Sequence, residues 1–226
     1  MDNQRQHILV INPNSDESVT EGMSRELREF HFSEGPGIEC VSLLDGPFSI
    51  ESQADIEAVT LPLRKMVSES RNVDAFVIAC YSDPGLHVCR EASEKPVFGI
   101  QECGILTAMS RGDRFGVIAL QERSIRRHLR YLRQMGVIER LAGEHAVSLS
   151  VEESVSGENT FKQLLAAADQ LRDSKQADSI ILGCAGMASY RSKLESVIGI
   201  PVIDPGQAAV SLAMYSLLIN MRPKTP

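Results

Sequence analysis

No run of lysine and arginine occurs in this chain of 226 residues, and 23 basic residues face 30 acidic ones for a formal charge of −7. A net acidic chain without a basic tract suits neither nucleic acid nor an anionic membrane, so neither is expected as a partner. Long hydrophobic runs are missing as well. The longest charge-free apolar stretch, Ala208 to Met221, has fourteen residues and contains Ser211, Ser216 and Asn220. A membrane span needs roughly 20 apolar residues, so this stretch reads as a buried helix. The opening MDNQRQH lacks the apolar region of a secretory signal, and a cytoplasmic location is expected. The cysteines, Cys40, Cys80, Cys89, Cys103 and Cys184, are odd in number and form no CxxC, which points to free thiols and not to a disulfide framework. The GxxG at Gly183 is not the dinucleotide GxGxxG, and neither a Walker sequence nor G-x-S-x-G occurs, so nucleotide binding and serine hydrolysis are not indicated.

What is present is ordinary for a folded protein: 43% apolar and 23% charged residues, enough for one large domain or two small ones with a real core. Solid apolar runs alternate with helical periodicity. Strands are expected at His7–Ile11, Ile38–Leu43, Ala75–Ala79, Val97–Ile100, Phe115–Ala119, Ala146–Val151, Ser179–Leu182 and Val202–Ile203. Helices are expected at Ser15–Phe30, capped by Ser15 or Asp16, and at Ile56–Val67 despite Pro62. Others are expected at Ser124–Met135, Phe161–Leu171 and Gln207–Asn220. Buried strands separated by helices predict an α/β fold with parallel sheets.

The chain also resembles itself. VDAFVIACYSDPG, from Val73, is followed by KPVFGI, and ADSIILGCAGM, from Ala177, is followed by GIPVIDP. Cys80 and Cys184 are 104 residues apart, Pro96 and Pro201 are 105 apart, and ILVINPNS matches FGVIALQE at about 107. The repeat predicts two pseudo-symmetric parallel-sheet α/β lobes. One comprises residues 1–100 with 207–226 and carries Cys80; the other comprises 101–206 and carries Cys184.

In open α/β sheets ligands bind beyond the carboxyl ends of strands. Both thiols fall there, so two facing lobes would place them on opposite walls of one cleft. Ser82-Asp83-Pro84-Gly85 reads as a helix start, with Asp83 the cap and Pro84 the first helical residue. Ala185 and Gly186 leave backbone N–H groups open beside Cys184, which favours its thiolate. Two thiols on opposite faces of one carbon suit stereoinverting proton transfer without metal or organic cofactor. The enolate then needs hydrogen-bond donors, for which Asn12, Ser15, Ser49 and Ser82 qualify by type and position. The plain alternative is that each cysteine is a small buried hydrophobe, the reading that fits Cys40, Cys89 and Cys103. His87 and Cys89 lie near Cys80 but at i, i+2 on a helix, without ligand spacing, so no metal site is expected. The arginines from Arg123 to Arg133 read as a solvated helix face or a contact with another subunit.

INPNS at Ile11, GPFSIES at Gly46, ACYSDPG at Ala79, PVFGI at Pro96 and LGCAGM at Leu182 resemble the motifs of the hydantoin racemase family, within the aspartate/glutamate racemase superfamily. The likeness runs from the first strand to PVIDPGQAA. It implies a cleft between two lobes, cofactor-independent racemisation by Cys80 and Cys184, and a five-membered cyclic ureide as substrate, either a 5-substituted hydantoin or allantoin. By motif match Asn12, Ser49, Ser82, Asp83, Ala185 and Gly186 would line the ligand. Ser82 stands where many members have a second acid, and Gln121 where a small hydroxyl residue is commoner; both bear on substrate choice. A homo-oligomer is expected. Rival functions are a Cys-based isomerase or decarboxylase on the same scaffold, or a non-catalytic ligand-binding module.

Overall fold

The computed structural model describes residues 5–156 and 159–219. The chain divides into two compact units, one holding the chain up to Ile100 and from Gly206 onward, the other Gln101–Pro205. In the first unit the elements run β1 (His7–Asn12), α1 (Glu17–Glu26), β2 (Gly37–Ser42), α2 (Gln53–Glu69), β3 (Ala75–Ile78), α3 (Leu86–Ala92) and β4 (Val97–Gly99). The strands form a parallel sheet in the order β2-β1-β3-β4. After α4 (Ile100–Met109) come β5 (Phe115–Ala119), α5 (Glu122–Met135), β6 (Leu141–Ala146), α6 (Val151–Ser156), α7 (Thr160–Asp173), β7 (Ser179–Leu182), α8 (Arg191–Ile198), β8 (Val202–Ile203) and α9 (Pro205–Leu218). The second sheet is parallel in the order β6-β5-β7-β8. Crossover helices on parallel strands are what continuous apolar runs require, since both sheet faces must be covered.

The repeat is visible hydrogen bond by hydrogen bond. Asp74 N–H donates to His7 O and Asp178 N–H to Arg114 O, each at 2.8 Å. The same aspartates accept from the amides of the partner residues, His7 N at 2.9 Å and Arg114 N at 2.8 Å. At the far ends, Ala79 N–H donates to Ile11 O and Gly183 N–H to Ile118 O, again at 2.8 Å. The cores match: Leu9, Ile11, Leu63, Phe76 and Ile78 fill one unit, and Ile118, Leu164, Ile180, Leu182 and Met187 the other.

Several local expectations change. The first helix starts at Glu17 with Asp16 as its cap, accepting from Ser18 N, and tightens into a 3₁₀ turn at Leu27–Phe30. Pro62 sits inside α2. The reciprocal Ser52–Asp55 capping box and the buried Val59, Leu63 and Val67 offset its cost,. The strand expected at Ala146–Val151 lies earlier, at Leu141–Ala146, and α6 begins at Val151. The V-S-L alternation is real, since Val147 and Leu149 are buried. That stretch runs past the end of β5, with Val147 N–H donating to Ala119 O and Leu149 N–H to Leu120 O, outside the strand ladder.

On α5 the buried stripe is Ser124, His128 and Leu132, while Ile125 and Leu129 are only partly covered. The histidine is accommodated because its Nδ1 meets the buried carboxylate of Glu144 on β6. The last helix starts at Pro205, and Asn220 and Met221 lie outside the described residues, as do the rest of 220–226. Among the described residues no helix is long and apolar enough to cross a membrane.

Candidate active site

Cys80 lies two residues beyond the end of β3, and Cys184 two beyond the end of β7, the equivalent strand. Both are partly exposed, whereas Cys89 and Cys103 are buried, and all five thiols are free. Each unit thus carries one accessible thiol at the carboxyl edge of its sheet.

In the first unit the chain turns tightly after Cys80, whose carbonyl accepts from Ser82 N at 2.7 Å and Asp83 N at 3.0 Å. Asp83 does not cap α3. It has a left-handed φ of 41°, and the helix starts at Leu86 with Gly85, φ 64°, as its cap residue. Two left-handed residues in one turn leave Pro84 outside the helix. The Asp83 side chain is instead buried, where a Cβ on Gly99 would meet its Cγ at 2.2 Å. At the end of the neighbouring β1, Asn12 is fully buried. Its amide donates to Asn14 Oδ1 at 2.8 Å, Asp16 O at 3.2 Å and Thr20 Oγ1 at 3.0 Å. It holds the turn from β1 into α1 and does not present a free donor to a ligand, contrary to the expectation from its residue type. The loop after β2 is tied to the same edge: Leu43 N–H donates to Asn12 O at 2.8 Å, and Ser15 N–H to Pro47 O at 3.0 Å. Ser15, Ser49 and Ser82 are partly exposed, and Ser49 Oγ donates to Glu51 Oε1 at 3.2 Å. Leu44 and Phe48 on this loop are 69% and 61% exposed.

In the second unit Gly183 must be glycine, because a Cβ there would lie 2.6 Å from Ile118 O. Cys184 follows in extended conformation, and its Sγ accepts from Gly186 N at 3.4 Å. Ser154 Oγ, from α6, lies 3.8 Å from the same sulfur. Burial pushes the Cys184 thiol above its ordinary value of 9.0, the Gly186 N–H and the Ser154 hydroxyl pull it down, and the charge of Asp204 pushes it up again. The net direction corrects the expectation that open N–H groups favour the thiolate: the N–H is there, but desolvation outweighs it. Ala185 is buried and Gly186 partly exposed beside the sulfur. Gln121 stands two residues after β5, and its amide donates to Leu149 O at 2.7 Å. The side chain therefore steadies the extension beyond β6.

Sequence reasoning missed Ser154 and Asp204. Ser154 gives no signal, being one of four serines from Ser148 to Ser156, thirty residues before Cys184. Asp204 gives no signal through the repeat, because its counterpart is a glycine. In the strand registers Val97 faces Phe76 as Val202 faces Ile180, so Gly99 and Asp204 are equivalent. Asp83 fills the space at Gly99, and Asp204 is itself buried. Each unit therefore sets one buried carboxyl group at the same place on its sheet edge, from different loops. His87 is exposed and Cys89 buried on α3. Among the described residues no three His, Cys, Asp or Glu side chains are grouped to hold a metal ion.

Residues 8–213 match the family described as Asp/Glu/hydantoin racemase. The hydantoin racemase of Paenarthrobacter aurescens is 35% identical over 214 residues, covering 91% of this chain and 89% of that protein. The solved allantoin racemase of Klebsiella pneumoniae superposes with a TM-score of 0.92 at 27% identity, over 97% of this chain and 90% of that one. The allantoin racemase of Pseudomonas fluorescens gives 0.88 at 26% identity, over 97% and 94%. A match this long, in sequence and in fold, leaves one conclusion: the chain belongs to the Asp/Glu/hydantoin racemase family and is an enzyme of the isomerase class.

Proposed function

We propose that the protein racemises a 5-substituted cyclic ureide by proton transfer between two cysteines, without metal or organic cofactor. The observation that carries this reading is the duplicated thiol: Cys80 and Cys184 occupy equivalent positions at the ends of equivalent strands. A core cysteine has no reason to recur at that edge, partly exposed, in both units. In the reaction one thiolate takes the proton from C5 and its S–H bond forms. The C–H electron pair passes into the ring enolate, and the second thiol gives its proton to the opposite face of C5. The thiols have then exchanged protonation states, ready for the other enantiomer. Burial pushes the Cys184 thiol above its ordinary value, which suits it to give the proton, with Cys80 the partner that takes one. The partly exposed hydroxyls of Ser15 and Ser82, and that of Ser49 once it turns from Glu51, are the donors for the enolate oxygen,. Each unit then contributes one thiol to the reaction.

The substrate we favour is a hydantoin with an apolar 5-substituent. The relative from Paenarthrobacter aurescens is a hydantoin racemase. Leu44 and Phe48 offer an exposed apolar wall on the loop fastened to the sheet edge that carries Cys80, where the polar ureido group of allantoin gains nothing.

The test is polarimetry with 5-benzylhydantoin, allantoin and free glutamate, together with exchange of the C5 proton in D₂O. Cys80→Ser and Cys184→Ser are each expected to slow racemisation by roughly 10²–10⁴-fold. Each is expected to exchange one enantiomer faster than it racemises it, with opposite preference in the two variants. Full activity in both variants would make the thiols structural and leave a different mechanism. Turnover of glutamate alone would overturn the substrate class.

A further inference from the structure

Ser154 is fully buried in a short helix that no motif singles out. Its hydroxyl donates to Val151 O at 2.6 Å and lies 3.8 Å from Cys184 Sγ. The space beside it is closed, since a Cβ on Gly186 would come within 2.3 Å of Ser154 Oγ. A hydroxyl has one proton and two lone pairs and rotates to suit its surroundings. While the sulfur holds its proton, the S–H can point at Ser154 Oγ and the hydroxyl proton can rest on Val151 O. Once the proton leaves, a partly desolvated anion faces the same oxygen, and a hydrogen bond to an ion outweighs one to a neutral carbonyl.

We propose that Ser154 is a positioning residue for Cys184, a hydroxyl that turns from the Val151 carbonyl to the sulfur when Cys184 becomes a thiolate. The glycine at 186 serves this device twice, by giving a fixed N–H to the sulfur at 3.4 Å and by leaving room for the hydroxyl. The charged groups on the elements around Cys184 do not take over the role. Asp204 is negative and opposes the thiolate. Glu153 of α6 accepts from Ser150 N. On α8, Arg191 pairs with Glu195 at 3.7 Å and Lys193 lies 4.1 Å over the Phe161 ring. The importance of this device rests on the role proposed for Cys184.

The experiment is the pH dependence of iodoacetamide alkylation at Cys184, followed by mass spectrometry of its peptide in the intact protein. Ser154→Ala removes one oxygen and leaves a good helix former. The midpoint is expected to rise by roughly 0.5–1 pH unit, with the midpoint at Cys80 unmoved, and Ser154→Thr is expected to restore the wild-type value. An unmoved midpoint in Ser154→Ala, or a threonine variant as shifted as the alanine one, overturns the proposal. With substrate, the alkaline limb of kcat/KM, where the Cys184 acid loses its proton, should move by the same amount while KM holds; a raised KM with an unmoved limb would make Ser154 merely structural. Alkylation needs no substrate, so the two readings fail separately. A shifted midpoint in a protein that racemises nothing upholds Ser154 and sinks the racemase reading. Racemisation with no shift does the reverse.

Discussion

At the scale of single residues, the chemistry of Cys184 is a contest between its neighbours. Desolvation is the largest influence and favours the thiol; a backbone N–H and a hydroxyl oppose it, and the carboxylate of Asp204 adds to it. The sign of each contribution can be tested separately. Asp204→Asn removes a negative charge while keeping the shape, so the Cys184 thiolate becomes easier to form. Alkylation at fixed pH is expected to quicken and its midpoint to move down, opposite to the effect of removing Ser154. A midpoint that stays put or rises would show that the Asp204 charge does not reach the sulfur. The positions of the two thiols were legible in the sequence because a local motif recurs. Ser154 was not, because only folding brings α6 back to the turn after β7. The burial that decides the balance at Cys184 is likewise invisible in its immediate neighbours, Gly183, Ala185 and Gly186, which suggest openness.

Among the elements, strands with continuous apolar runs were readable: β1, β3, β5 and β7 are the inner strands, and every residue of β3, β5 and β7 is buried. The outer strand β6, Leu-Ala-Gly-Glu-His-Ala, is half-buried throughout. It has no such signature, and the apolar alternation that follows it drew the assignment away. Its Glu144 and the His128 of α5 bury each other, which no hydrophobic pattern can announce. The helix α4 escaped for the opposite reason. It buries Ile100, Gln101, Cys103, Ile105 and Ala108, so no polar face gives it a period. The repeat makes a further claim at this scale. Asp74 holds His7, the first residue of β1, by its amide, and Asp178 holds Arg114, the residue just before β5. Asp74→Ala and Asp178→Ala are therefore expected to cost about 1–2 kcal/mol each in urea unfolding. The double variant should lose the sum, because the two aspartates share no partner. A large cost at one site and none at the other would mean that the shared hydrogen bond has lost its shared purpose.

For the whole molecule, stability is linked to alkaline pH through thiols that take no part in the proposed chemistry. Burial pushes both Cys40 and Cys89 up to about 11 from an ordinary 9.0; the charge of Glu39 adds to the shift at Cys40, and Arg64 opposes it at Cys89. Between those values the unfolded chain gives up protons that the folded one keeps, so stability falls as pH rises from 9.0 toward 11,. The melting temperature is expected to decline over that window, and less steeply in a Cys40→Ala/Cys89→Ala double variant measured against its own value at pH 8. An equal decline in both proteins would place the alkaline loss elsewhere. The path of the chain through its two units has a consequence in time. The unit Gln101–Pro205 is one uninterrupted segment, whereas the other begins before it and is completed only by the chain from Gly206 onward. During synthesis the inner unit has its full complement of residues first. The outer one, made earlier in most of its length, must wait on the ribosome for α9, whose Gln207 amide reaches Glu26 O at 3.5 Å. The first sheet to be translated is thus the last whose unit can close, and the nascent chain carries it unfinished while its younger counterpart folds.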